Sequence, residues 1–166
     1  MQYFQLFQQT PTFQLDEQAL EQQYRQLAAQ FHPDKYASAS SFEQKQAMMM
    51  ASTINEAYRT LKSPLDRAAY LLSAAGIEAD APEHTAFPAA FLMQQMEWRE
   101  NLEDAQHGHN EAALLALGRE ISAEQQQLLA KLADSFQQSQ LEQAAQYVRQ
   151  GRFLAKLQQE IQHALP

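Results

Sequence analysis

Apolar residues recur at helical spacing along most of this chain, and nowhere do they alternate with polar ones. Leu20, Tyr24, Leu27, Ala28 and Phe31 stand 4, 3, 1 and 3 residues apart, which puts them on one face of a helix turning about 100° per residue. Ala47, Ala51, Ile54, Tyr58 and Leu61 repeat the pattern. A strand would need period-two alternation rich in β-branched residues, and no such run is present. The expectation is an all-α protein. With four Gly and six Pro in 166 residues, each break in the pattern is informative.

Asp16 is placed to cap the first of these helices. That helix must stop by Phe31 or His32, because Pro33 disfavours the helical region for the residue before it. Ser41 followed by Gln44 reads as a capping box for the next helix, so the two helices form an antiparallel hairpin joined by residues 32–40. Ser63 then caps a helix with Pro64 at its first position and Gly76 as its stop. The stretch IEADAPEHTAFP holds two prolines and no periodicity, so residues 76–87 are expected to be a linker. Three further helices follow, at about 88–106, 110–137 and 140–164. Breaks fall at HGHN and QQSQ, and Ser139 opens a second capping box, SQLE. Short loops between three helices predict an antiparallel bundle. The organisation expected is 1–75, a linker over 76–87, and a bundle over 88–166.

Several classes of function are disfavoured by composition. The formal charge of −8 works against general attraction to nucleic acid or anionic lipid. With no Cys, there is no disulfide framework, thiolate nucleophile or Cys-ligated metal. The N-terminus MQYFQLFQQT carries neither an export nor an import signal, and no window approaches the ~20 apolar residues of a membrane span. His107-Gly108-His109 lacks further ligands nearby and reads as a solvated turn, so no metal and no cofactor are expected. In the Met48–Met50 run, one or two side chains are expected to face the core. There is no Gly-rich phosphate loop and no nucleophile elbow. The expected partner is another protein, with no enzymatic activity.

The hairpin turn carries His32-Pro33-Asp34. Pro and Asp are ordinary loop residues, but a rigid polar tip between two helices suits insertion against a partner better than acid–base chemistry, which needs an orienting group and a pocket. The surrounding segments YFQLF, FQLD, FHPDKY, STINEAYRTLKSPLDRAAYLL and FLMQQMEWRE together resemble the iron–sulfur co-chaperones of the HscB family, whose N-terminal half is a J domain of the DnaJ type. The resemblance spans the chain, with the segments in the family's order and spacing. It implies a J domain over 1–75 in which His32, Pro33 and Asp34, flanked by Lys35 and Arg25, engage a DnaK-type (HscA-like) chaperone near its interdomain linker and stimulate its ATPase, Asp34 pairing with an Arg. One departure stands out. Residues 16–31 hold Arg25 as the sole cation against Asp16, Glu17 and Glu21, so electrostatic steering toward the chaperone is expected to be weak, with a modest salt dependence.

A second face is read from helical geometry. Phe91, Trp98, Leu102 and Ala105 make a sufficient core stripe from Pro88 onward, and Leu92, Met93 and Met96 point away from it beside Glu97, Glu100 and Asp104. In the last helix, Ala144, Tyr147, Leu154, Ile161 and Leu165 form the stripe and Phe153 lies apart. Geometry leaves two readings open: a wide core, or an exposed Leu–Met–Phe patch rimmed by carboxylates, suited to protein recognition. The resemblance implies the second, with Leu92, Met93, Met96, Glu97, Glu100, Asp104 and Phe153 holding an IscU-type iron–sulfur scaffold. Eukaryotic members of the family often carry a Cys-rich zinc segment in front of the J domain; a chain starting directly at that domain, without a transit peptide, is expected to be cytoplasmic and bacterial in type. The rival readings are a helical adaptor with an incidental HPD loop, and an enzyme using His32 with Asp34.

Overall fold

In a computed structural model, which describes residues 1–83 and 86–166, the protein is all-α: α1 (Gln2–Leu6), α2 (Glu17–Gln30), α3 (Ser41–Lys62), α4 (Pro64–Ala74), α5 (Ala89–His107), α6 (Glu111–Gln137) and α7 (Leu141–Ala164), with a 3₁₀ turn at Pro33–Tyr36 between α2 and α3. The chain divides into two compact units, Met1–Gly76 and Ile77–Pro166.

In the first unit α2 and α3 lie side by side. Asp16 caps α2 through its carboxylate, which accepts from the N–H groups of Gln18 and Ala19. Leu20 and Ile54 meet in a core completed by Phe4, Phe7, Ala57 and Leu61. Tyr24 stacks on Tyr58 with ring centroids 3.9 Å apart, and its hydroxyl donates to Asn55 at 2.9 Å. The short α1, not expected from periodicity, closes this core from one end: Tyr3 stacks on Tyr70 and its N–H donates to the Tyr70 hydroxyl. Burial, with the nearby Glu56 carboxylate, pushes the Tyr3 phenol above its ordinary pKa. Arg67 is buried at 4 % exposure. It donates to the Leu61 carbonyl at 2.7 Å and sits over the Phe13 ring. Desolvation lowers its pKa, partly offset by Glu17.

Two expectations about this unit are corrected. The cap of α3 is Ser40, not Ser41: the Ser40 hydroxyl accepts from the Glu43 N–H at 3.2 Å, and Ser40-x-x-Glu43 is the capping-box spacing one residue earlier. Gln44 is thereby released for another task, described below. None of Met48, Met49 and Met50 is buried; they are 69 %, 63 % and 38 % exposed: Met48 and Met49 lie off the α3 stripe of Ala47, Ile54, Ala57 and Leu61, and Met50 shares its side of the helix without being covered. The stop at Gly76 is as expected, with φ +85°, a conformation that glycine adopts without the steric cost of a Cβ.

In the second unit α5, α6 and α7 form a bundle around Trp98, Leu102, Ala105, Leu114, Leu117, Ile121, Leu128, Leu154, Leu157 and Ile161. The Trp98 indole N–H donates to Glu120. Gln158 donates to the Gly118 carbonyl at 2.9 Å and to the Ser122 hydroxyl at 2.8 Å, joining α6 to α7. The HGHN and QQSQ breaks share one construction. After α5, His109 and Asn110 donate to Gln106 and Ala105; after α6, Ser139 and Gln140 donate to Phe136 and Ser135. These are the paired bonds of a Schellman stop, with His109 (φ 47°) and Ser139 (φ 57°) in the left-handed region. Ser139 therefore cannot cap α7, whose N-cap is Gln140 without a side-chain bond. Among the described residues no cluster of metal-ligating side chains occurs, and no helix is long and apolar enough to cross a membrane.

From Ile77 onward, the segment expected as a linker belongs to the second unit. Ala79 is buried, Asp80 receives a two-pronged bond from Arg152, and Arg149 reaches the Ala79 carbonyl. Residues 84 and 85 lie outside the described residues.

Ile54 fills the hairpin core with no exposed surface. Ile54→Ala is expected to destabilise the first unit by about 2–5 kcal/mol, whereas Met49→Ala should stay within about 0.5 kcal/mol. Urea denaturation followed by circular dichroism on the full chain would check both; a large loss for Met49→Ala would contradict the exposed placement.

Candidate functional site

The tip of the α2–α3 hairpin is built by local hydrogen bonds. His32 is extended (φ −63°, ψ 138°), as a residue before proline prefers. Pro33 opens the 3₁₀ turn, and His32 caps it: its Nδ1 accepts from the Asp34 N–H at 3.2 Å, while its carbonyl accepts from the Lys35 N–H at 3.0 Å. Nδ1 also lies 3.6 Å from the Asp34 carboxylate. The backbone bond is the shorter of the two contacts and holds the ring over the turn. The chain leaving the turn is tied down by Gln44, whose amide donates to the carbonyls of Tyr36 at 3.0 Å and Ala37 at 3.3 Å. Read from sequence as part of a helix cap, Gln44 instead staples the turn to α3.

The tip thus presents an ordered imidazole, a proline and a carboxylate to solvent. The His32 and Asp34 side chains are 57 % and 92 % exposed. An acid–base pair would need exclusion from water and an orienting partner; here the ring is oriented by a backbone amide. Lys35 joins the same exposed turn. Arg25 lies about two helical turns earlier on α2 and is bonded to Glu21 at 2.7 Å, so the cation of that helix is already locally matched by a carboxylate.

On the second unit, Leu92, Met93 and Met96 are 43 %, 71 % and 73 % exposed, and Glu97, Glu100 and Asp104 are exposed beside them on α5. At about 100° per residue these six span a continuous face from Leu92 to Glu97, with Glu100 and Asp104 on either side of Met93. Phe153 is different. It is half-buried, packed against Phe91 and Trp98 with centroids 5.8 Å and 6.5 Å away, and covered by the Arg99 guanidinium at 5.3 Å, which in turn binds Glu160. The two readings left open by sequence therefore divide: Leu92 and both methionines are surface, and Phe153 is an edge of the core. Its connection to the patch is Arg99, seven residues after Leu92 and so on the same side of α5. Sequence reading passed over Arg99, because a lone arginine on an amphipathic helix gives no sign of a ring beneath it.

Comparison with known proteins covers both units. The DnaJ domain family model matches residues 3–70, and the HSCB C-terminal oligomerisation domain model matches residues 87–162. A co-chaperone protein HscB homolog of Neisseria meningitidis serogroup B is 62 % identical over 164 residues, 99 % of each chain. Among solved structures, chaperone HscB from Vibrio cholerae superposes with a TM-score of 0.86 at 43 % identity, covering 98 % of this chain and 96 % of that one. Human co-chaperone protein HscB does so with a TM-score of 0.91 at 28 % identity, covering 97 % and 80 %.

The burial difference within the α5–α7 face has a measurable consequence. Leu92→Ala and Met93→Ala are expected to cost less than about 0.5 kcal/mol in stability. Phe153→Ala should cost more than about 1 kcal/mol, because it removes ring contacts with Phe91 and Trp98. Guanidinium titration of the three variants would show this ordering; equal midpoints would place Phe153 outside the core.

Proposed function

Because the chain belongs to the HscB co-chaperone family, we propose that it stimulates ATP hydrolysis by a DnaK-type, HscA-like chaperone and presents to it an IscU-type iron–sulfur scaffold during cluster biogenesis. The observation that carries the chaperone half is the tip itself. His32, Pro33 and Asp34 are held in one conformation by the Asp34 N–H bond and the Gln44 staple, yet remain open to solvent. Ordering before contact lowers the entropic cost of docking, and an exposed carboxylate is a suitable acceptor for a guanidinium on the partner.

The scaffold half is supported by the exposed Leu92–Met93–Met96 patch. An apolar patch rimmed by carboxylates is a recognisable protein-contact surface, and the flexible methionines adapt to the surface they meet. Phe153 contributes as a half-buried anchor at the patch edge. One molecule engaging chaperone and scaffold together raises the effective concentration of one for the other without any new contact. The protein supplies no catalytic group and acts in the bacterial cytoplasm, on nucleotide hydrolysis performed by its partner.

The test is ATP turnover by the DnaK-type chaperone in the presence of the scaffold. His32→Gln should return the rate to that of the chaperone without this protein, while calorimetric affinity for the scaffold is unchanged. Equal stimulation by native protein and variant would reduce the tip to an incidental loop on an adaptor.

A further inference from the structure

Against a net charge of −8, α7 gathers Arg149, Arg152 and Lys156 on the surface beside Phe153, where they line one shallow depression with Ala79, Asp80 and Pro82. Two of these cations have internal tasks. Arg152 forks onto Asp80 and Arg149 donates to the Ala79 carbonyl; together they hold the 77–83 segment against α7. Lys156 is exposed and, among the described residues, has no carboxylate partner. Holding that segment does not explain it.

Its position follows from how α5 and α7 lie together. Phe153 meets Phe91 and Glu160 meets Arg99, so the two helices run parallel and Lys156 sits level with the stretch between those contacts, which includes Leu92, Met93 and Met96. Around α7, at about 100° per residue, the order outward from the core is Phe153, Glu160, Arg149, Lys156. Around α5 the order outward is Trp98, Arg99, Leu92, Glu103, Met96, Glu100, Met93, Asp104, Glu97. Both sequences start at the shared Phe153–Arg99 contact and open onto the same side of the bundle. The apolar patch is therefore bordered by Glu97, Glu100 and Asp104 on its far side, with Glu103 one turn beyond Arg99, and on its α7 side by the unpaired Lys156, next to Arg149 and the Asp80-bound Arg152.

We propose that the cationic flank of α7 receives an acidic edge of the scaffold, and that the opposed charges across the patch fix the direction in which the scaffold lies on it. This rests on the reading of the patch as the scaffold-binding surface. An apolar patch of flexible side chains fixes no unique orientation by itself, whereas like charges brought together disfavour the reversed one. The occupant expected is thus a surface with basic groups facing α5, apolar groups facing Leu92 and the methionines, and carboxylates facing Lys156.

Stopped-flow and calorimetric binding of the full chain to the IscU-type scaffold, at low and physiological salt, would test it. Lys156→Glu should weaken binding roughly fivefold or more, mainly through a slower association rate and with a shallower salt dependence; Lys156→Arg should bind as the native protein does. Lys156 is exposed and unpaired, so the fold should survive, which circular dichroism would verify. Native affinity and salt slope in Lys156→Glu, or tighter binding, would overturn the acidic-edge inference. The Leu92→Ala, Met93→Ala double variant separates the two ideas: if it binds normally, the patch itself is misassigned, and if it alone fails, only the flank is.

Discussion

The stacking of α2 on α3 is the interaction on which the His32-Pro33-Asp34 tip depends. A three-residue tip has no core of its own, and its geometry is inherited from the helices that deliver and remove the chain. Leu20 and Ile54 are almost fully buried between them, and the Tyr24–Tyr58 stack with its bond to Asn55 sets their rotational register. Register matters here because rotating either helix would move the ends that define the turn. Gln44 then transmits the position of α3 to the turn through two carbonyls. Burial thus becomes orientation at a point with almost no burial of its own, which lets a polar surface be both rigid and accessible.

How much of this was readable depended on the length scale of each signal. The helices and the HPD break were legible because apolar periodicity extends over many residues, so a local error cannot hide it. Helix ends were less so. In Ser40-Ser41-Phe42-Glu43-Gln44 two overlapping capping boxes satisfy the same rule, and the choice between them rests on the carbonyls of Tyr36 and Ala37, which bind the Gln44 amide. Ser139 fails as a cap because the preceding helix needs it in the left-handed conformation to finish a Schellman stop. The buried Arg67 was missed because its partners, the Leu61 carbonyl and the Phe13 ring, come together only in three dimensions. For the patch, the single-helix arithmetic that exposed Leu92, Met93 and Met96 was sound, since the property belongs to one helix. It was insufficient for Phe153, whose burial is decided by Phe91 and Trp98 on another.

That split burial bears on what such a surface would offer a partner. Leu92, Met93 and Met96 contribute little to the folded bundle, so their exposed area is available in full to a partner. Phe153 has already lost most of its freedom to Phe91, Trp98 and the Arg99 guanidinium. A partner that covers it gains contact without ordering a mobile ring, and in doing so adds to the interactions that hold α5 to α7. Binding and folding of the second unit are then linked: any ligand specific for the folded state stabilises it by mass action, most strongly where the ligand touches a side chain that the core also uses. The tip of the first unit is the opposite case, since His32 and Asp34 hold nothing but their own turn. A ligand on the second unit's patch would therefore change that unit's stability, whereas one on the first unit's tip would leave its core contacts as they are.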